Sequence, residues 1–193
     1  MAKLSDFITS RVRVELLETF FADPKEMFYV RQLTRQISEE INAVRRELQR
    51  LQETGIIKSE KRGNRLYYQI NPSYLFFPEL LNMIAKTTGL GKEILKYRHK
   101  LGFVKYAFMT TRLIKGGKRS DNQVDLMLIG DIIMPQLNQL VKNYEIEKKV
   151  EVNYSAMTEE EFHYRKNGRD PFILFILHYP RIMLIGDDDR LLS

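Results

Sequence analysis

The chain contains no cysteine. Disulfide crosslinks, zinc–thiolate sites and a cysteine nucleophile are therefore excluded. Its three histidines, His99, His163 and His178, lack metal-ligand spacing, which argues against a zinc site. No apolar run is long enough to span a bilayer. The amino-terminal stretch MAKLSDFITSRVRVELL lacks the apolar region of a signal peptide. The expectation is a cytoplasmic protein with no membrane partner. Internal repeats and low-complexity segments are also missing. Gly116-Gly117-Lys118 is too short for a phosphate-binding P-loop, having neither its first glycine nor its closing Ser or Thr. Asp187-Asp188-Asp189 reads as a solvated tail rather than a metal cluster. Nothing in the residues calls for a cofactor.

What is present is a basic, well-packed chain. A hydrophobic fraction of 44% supports buried cores and argues against disorder. A length of 193 residues allows one domain or two small ones. The formal charge of +6 and a pI near 9.4 favour a polyanionic partner.

The most informative stretch is VRQLTRQISEEINAVRRELQRLQETGIIKSEKRGNRLYYQIN, Val30 to Asn71. Leu33 and Ile37 mark one helix, and a short turn follows. Ile41, Val44, Leu48 and Leu51 then recur at helical period and form one apolar stripe. At about 100° per residue, Asn42, Arg46, Gln49 and Arg50 fall on the solvent side, with Arg45 on the flank. Ser38 is the expected N-cap, with Glu39 and Glu40 favourably placed against the helix dipole. Gly55 ends the helix. Arg can grip guanine bidentately and Asn can do the same for adenine, so Asn42, Arg45 and Arg46 are apt readers of base edges. Taken alone, the helix also fits an amphipathic core helix with a solvated charged face.

The next segment bears on that choice. Ile56 to Glu60 and Leu66 to Ile70 look like paired strands, with a turn near Lys61-Arg62-Gly63-Asn64, where Gly and Asn suit positive backbone angles. Lys58, Lys61, Arg62 and Arg65 against Glu60 alone make this hairpin basic. With Asn64 at the turn, such a tip would contact phosphate and make affinity fall with salt. The pair Tyr67-Tyr68 reads as core and hairpin packing rather than base stacking. A helix, a turn, a second helix and a basic hairpin form a winged helix-turn-helix, and the expected partner is duplex DNA.

Upstream, Val14, Leu17 and Phe21 mark a first helix ending before Asp23-Pro24. Residues 1–76 are thus the expected DNA-binding domain, closed by Asn71-Pro72. Residues 77–101 read as a helical linker: a helix over Pro78 to Lys86, a break at Thr87 to Gly91, and a helix from Lys92 to His99. This linker serves equally as a dimer contact or as packing on its own domain. Residues 102–193 read as a small α/β domain. Strands are expected at Phe103 to Met109, Val124 to Ile129, Lys149 to Tyr154 and Arg181 to Ile185. Helices are expected at Leu137 to Tyr144 and Thr158 to Tyr164, followed by an apolar run from Pro171 to Tyr179. The overall expectation is an α+β protein of two domains.

Two resemblances extend this. Through INAVRREL and the closing YYQIN, the first half resembles winged-helix transcriptional regulators. VKYAFMTTRLIKGGKRSDNQVDLMLIGD, Val104 to Asp131, resembles the core of the minimal nucleotidyltransferase fold. Pro180 to Gly186 is similar to the closing strand of that fold. Fusions of the two modules form a recognisable family of transcriptional regulators. The resemblance implies a DNA-binding regulator, a homodimer on palindromic sites, and a nucleotide or small-molecule effector.

The departures from the enzyme pattern matter as much. Where the transferase family has Gly-Ser, this chain has Thr111-Arg112. Glycine lets backbone amides approach nucleotide phosphates, and threonine obstructs that approach. Where the family has Asp-x-Asp to hold divalent ions, this chain has Gln123-Val124-Asp125. Glu151 or Asn153 could stand where a third acid is sometimes supplied, and Asp121 falls at the loop end. The expectation is therefore a degenerate nucleotidyltransferase-like domain without catalysis, used for dimerisation, sensing or extra phosphate binding. The alternative is an active nucleotidyltransferase using Asp125 with a divalent metal. From Lys92 to Arg119 there are nine Lys or Arg and one acid, Glu93. Lys115, Lys118 and Arg119 could hold phosphate there or be ordinary solvated charges.

Overall fold

The computed structural model describes residues 3–111 and 124–193. Among these the chain is α+β, with two separate sheets, and divides into two compact units between Thr87 and Thr88. No helix among the described residues is long and apolar enough to cross a membrane.

The first unit follows the periodicity of its sequence. A short 3-10 turn at Leu4–Asp6 precedes α1, Arg11–Ala22, which Ser10 caps by accepting the Arg13 N–H. A two-residue strand β1, Phe28–Tyr29, leads into α2, Val30–Ile37, and then α3, Ile41–Glu53. The hairpin is β2, Ile57–Arg62, with β3, Arg65–Ile70, and the sheet order is β1-β3-β2. Helix α4, Phe77–Thr87, completes the unit. Its core gathers Leu16, Leu17, Phe20 and Phe21 of α1 with Leu33 and Ile37 of α2 and Val44, Leu48 and Leu51 of α3. Phe21 stacks on Phe77 with ring centroids 5.4 Å apart, so α4 is anchored to α1.

The second unit begins with α5, Gly89–Tyr97, and a 3-10 turn at Arg98–Lys100. The segment expected as one linker over 77–101 is thus divided, one helix belonging to each unit. The break expected over Thr87 to Gly91 narrows to Thr88, which separates the two helices, and the second helix starts at Gly89 and runs on through Gly91. Next come β4, Gly102–Thr110, and β5, Leu126–Ile132, paired antiparallel. Helix α6, Met134–Lys148, crosses over to β6, Tyr154–Met157, which pairs parallel to β5. Helices α7, Glu159–Asn167, and α8, Pro171–His178, precede β7, Arg181–Ile185, and α9, Asp188–Leu192. The sheet order is β6-β5-β4-β7. Tyr106, Phe108, Met127 and Ile129 pack on one face with Phe162, Ile173, Ile176 and Leu191. The alternate residues Leu126 and Leu128 are equally buried on the other.

Three expectations are corrected here. The strand placed at Lys149 to Tyr154 begins only at Tyr154. Lys149 ends α6 in a left-handed conformation, and the Glu145 carboxylate accepts the Val152 N–H at 2.8 Å, which holds 149–153 as a turn. The acidic run near the C-terminus is not a free tail: Asp187 caps α9, and Asp188 pairs with the buried Arg181 at 2.6 Å. Asp125 lies just ahead of β5 rather than on it.

Candidate nucleic-acid interface

Helix α3 owes its position to capping at both ends. The cap at its start is Glu40, not Ser38: the Glu40 carboxylate accepts the N–H groups of Asn42 and Ala43 at 2.8 and 2.9 Å. Ser38 instead closes α2 in the left-handed conformation, with φ 55°. The Asn42 and Ala43 N–H groups, joined by Arg46 and Arg45 nearby, hold the Glu40 carboxyl below the usual carboxylate range. Glu39 pairs with Arg11 at 3.3 Å. Both acids that precede α3 are therefore occupied. At the other end Gly55, at φ 78°, lets its own N–H reach Gln52 O and the Ile56 N–H reach Leu51 O, each at 3.0 Å. This double bond pattern stops the helix and turns the chain into β2.

The ten predicted contact residues, Asn42, Arg45, Arg46, Gln49, Arg50, Lys58, Lys61, Arg62, Asn64 and Arg65, are all exposed. They fall into distinct groups. Asn42, Arg45 and Arg46 occupy the first turns of α3, and among the described residues none of their side chains is held in a hydrogen bond or ion pair. Gln49 donates to Glu53 at 2.8 Å. Arg50 turns toward Glu47 at 3.3 Å, away from the Asn42–Arg46 side.

Glu47 is the residue that sequence reasoning missed. It is only 7% exposed. Its carboxylate accepts from Ser10 Oγ at 2.9 Å and from Arg13 Nε at 2.8 Å, besides Arg50. Burial pushes this carboxyl up, but the hydrogen bonds from Arg13 and Ser10 outweigh it and leave it below the usual range. The first helix is thereby tied to the third. The signal lies on α1, 34 and 37 positions away, so no local pattern reveals it.

Strand register sorts the hairpin by face. Arg62 and Arg65 stand opposite each other, as do Lys58 and Gln69, and Glu60 and Tyr67. These side chains share the outer face with Tyr29, which is paired to Tyr67. Arg62 makes a two-bond pair with Glu60 at 3.0 and 3.2 Å, and Arg65 lies 4.8 Å over the Tyr29 ring. Lys61 alternates onto the other face with Leu66, Ser59 and Tyr68. That face meets the helices: Tyr68 is buried, burial raises its hydroxyl, and Arg45 partly offsets the rise. The expected packing role of Tyr67-Tyr68 thus holds for Tyr68, whereas Tyr67 turns outward. At the turn only Gly63 takes a positive φ, 57°; Asn64 does not.

In the second unit Asp125 is wholly buried, and its Oδ2 accepts the Asn153 N–H at 3.0 Å. Arg112, Lys115, Lys118, Arg119, Asp121 and Gln123 lie outside the described residues. A groove of about 300 Å³ opens between α5 and α6, lined by Glu93, Tyr97, Gln139, Tyr144 and Glu147 among others. Among the described residues no group of three or more His, Asp or Glu is placed to hold a metal ion.

No protein-family model and no curated protein matches the chain. Among solved structures, reduced HlyU from Vibrio cholerae N16961 shares 17% identity, covering 42% of this chain and 77% of its own, at a TM-score of 0.33. A likeness that distant carries no argument about function.

Proposed function

We propose that the first unit is a winged helix-turn-helix module that reads duplex DNA, and that the protein is a transcriptional regulator. The observation that carries this reading is the start of α3. Asn42, Arg45 and Arg46 stand exposed there, while the neighbouring acids Glu39 and Glu40 are engaged by Arg11 and by the helix itself. A major groove admits such a helix, and these side chains match the hydrogen-bonding edges of guanine and adenine. Lys61 and Asn64 at the hairpin tip supply phosphate contacts, while Arg62 and Arg65 turn to the outer face of the sheet. Arg50, committed to Glu47, supports the helix instead of reading bases.

The second unit, in this reading, is a nucleotidyltransferase-like domain that has given up catalysis for dimerisation or effector sensing. The buried Asp125, bonded to backbone, supports a structural role for that carboxylate. Selecting bound fragments from random duplex DNA tests the whole proposal. A preferred sequence with two-fold symmetric half-sites is the expected result, since a dimer of such modules binds palindromic sites. Recovery of unenriched fragments would overturn it.

A further inference from the structure

The outer face of the β1-β3-β2 sheet is not used by the duplex-reading surface, and its composition is unusual for a solvated face. Tyr29 and Tyr67, opposite each other across the strands, meet edge to face with ring centroids 5.8 Å apart. Both are only half-buried. The Arg65 guanidinium lies 4.8 Å over the Tyr29 ring, making a layered aromatic and guanidinium cluster. Lys58 and Arg62 flank it on β2, with Gln69 beside Lys58. The single acid on this face, Glu60, is neutralised by Arg62.

We infer that this face is a binding platform for single-stranded nucleic acid. Cations alone would suit any polyanion, including the backbone of a duplex. The half-buried tyrosine rings and the exposed Arg65 guanidinium add a second requirement, a flat apolar ligand. Bases in a duplex are stacked on one another and unavailable, whereas those of a single strand can stack on aromatic rings and guanidinium planes. Cations spaced along β2 and β3 then follow the phosphates of the same strand. The inference rests on the sheet register and on the Tyr29, Tyr67 and Arg65 contacts, and stands whether or not α3 reads DNA.

The test uses the full chain and two fluorescent probes, short oligothymidylate and short oligouridylate, with fluorescence polarisation at low salt. Both are expected to bind, because stacking tolerates either base and sugar; binding of only one would still support a single-strand site and would add a preference for that base or sugar. Tyr67→Phe keeps the ring and should bind like the parent protein. Tyr67→Ala should weaken binding about tenfold, within the ~1–3 kcal/mol that one stacked base supplies. Lys58→Glu, a change at an exposed position that leaves the fold intact, should weaken it as well. Arg46→Ala should leave single-strand binding unchanged while reducing duplex binding, which separates this platform from the proposed duplex reader. Parent-like binding by both Tyr67→Ala and Lys58→Glu would overturn the inference. So would a parent protein that binds neither probe, or single-strand binding that disappears with Arg46→Ala.

Discussion

Arg13 on α1 and Glu47 on α3 share a hydrogen bond of 2.8 Å between residues 34 positions apart. The same carboxylate takes a second bond from Ser10, whose Oγ also caps α1. One hydroxyl thus starts the first helix and steadies the third. Helix α3 is thus held to the start of α1 through Glu47, the residue that follows Arg46.

Glu47→Gln should therefore cost about 1.5–3 kcal/mol of stability at neutral pH, the worth of hydrogen bonds to a charged group. The folded carboxyl ionises at lower pH than an unfolded glutamate of pKa about 4.3. Its contribution is accordingly complete above that value and is lost as pH falls through the folded pKa. Urea unfolding at neutral and acid pH should show the two proteins converging in acid. Parallel pH profiles would show that the cluster contributes nothing.

The proposed duplex contacts divide into two kinds. Arg46→Ala should cost about 1–3 kcal/mol and relax base preference at one position. Lys61→Ala should weaken all duplexes evenly and reduce the salt slope by about 1. Lys58→Ala, on the opposite face of the hairpin, should leave duplex binding unchanged. Polarisation titrations over a range of salt distinguish these outcomes, and a loss with Lys58→Ala equal to that with Lys61→Ala would refute the assignment of faces.

With magnesium and labelled nucleoside triphosphates, the protein is expected to transfer no label. Asp125→Asn should lower the melting temperature instead, because the carboxylate braces the Asn153 N–H in a fully buried position. Labelling that Asp125→Ala abolishes would establish a working transferase and reverse the reading.

Two glycines should respond unequally to alanine. At Gly55 no atom lies within 4 Å of an added Cβ, so only the left-handed backbone is penalised, by about 1–2 kcal/mol. At Gly130, opposite the irregularity between Val104 and Tyr106, an added Cβ would run into the Phe103 carbonyl oxygen. Gly130→Ala should therefore be the more damaging by calorimetry. Equal losses would mean that the sheet relaxes around the new methyl group.

Much of α3 and the hairpin was legible in the sequence, because Ile41, Val44, Leu48 and Leu51 repeat at helical period and Gly55 and Gly63 mark the reversals. The cap was misplaced because serine and glutamate can both accept N–H groups. Which one does so depends on where α2 ends, and that is settled by the left-handed turn at Ser38. The third strand was displaced because Val150 and Val152 alternate as strand residues do, yet Val150 is exposed and the Glu145 side chain holds the turn. Glu47 could not be found at all from its own helix, since its partners Ser10 and Arg13 arrive from α1.

The parallel pairing of β5 with β6 carries a consequence for the order of folding. Parallel strands cannot be joined by a tight turn, so β5 must wait for the whole of α6 to be made before Leu126 can meet Tyr154. The first unit needs no such wait, as its hairpin closes over the two residues between Arg62 and Arg65. Local closure is fast and distant pairing slow. On the ribosome, the unit that carries Asn42 and Arg46 is therefore complete while the second sheet still lacks an edge.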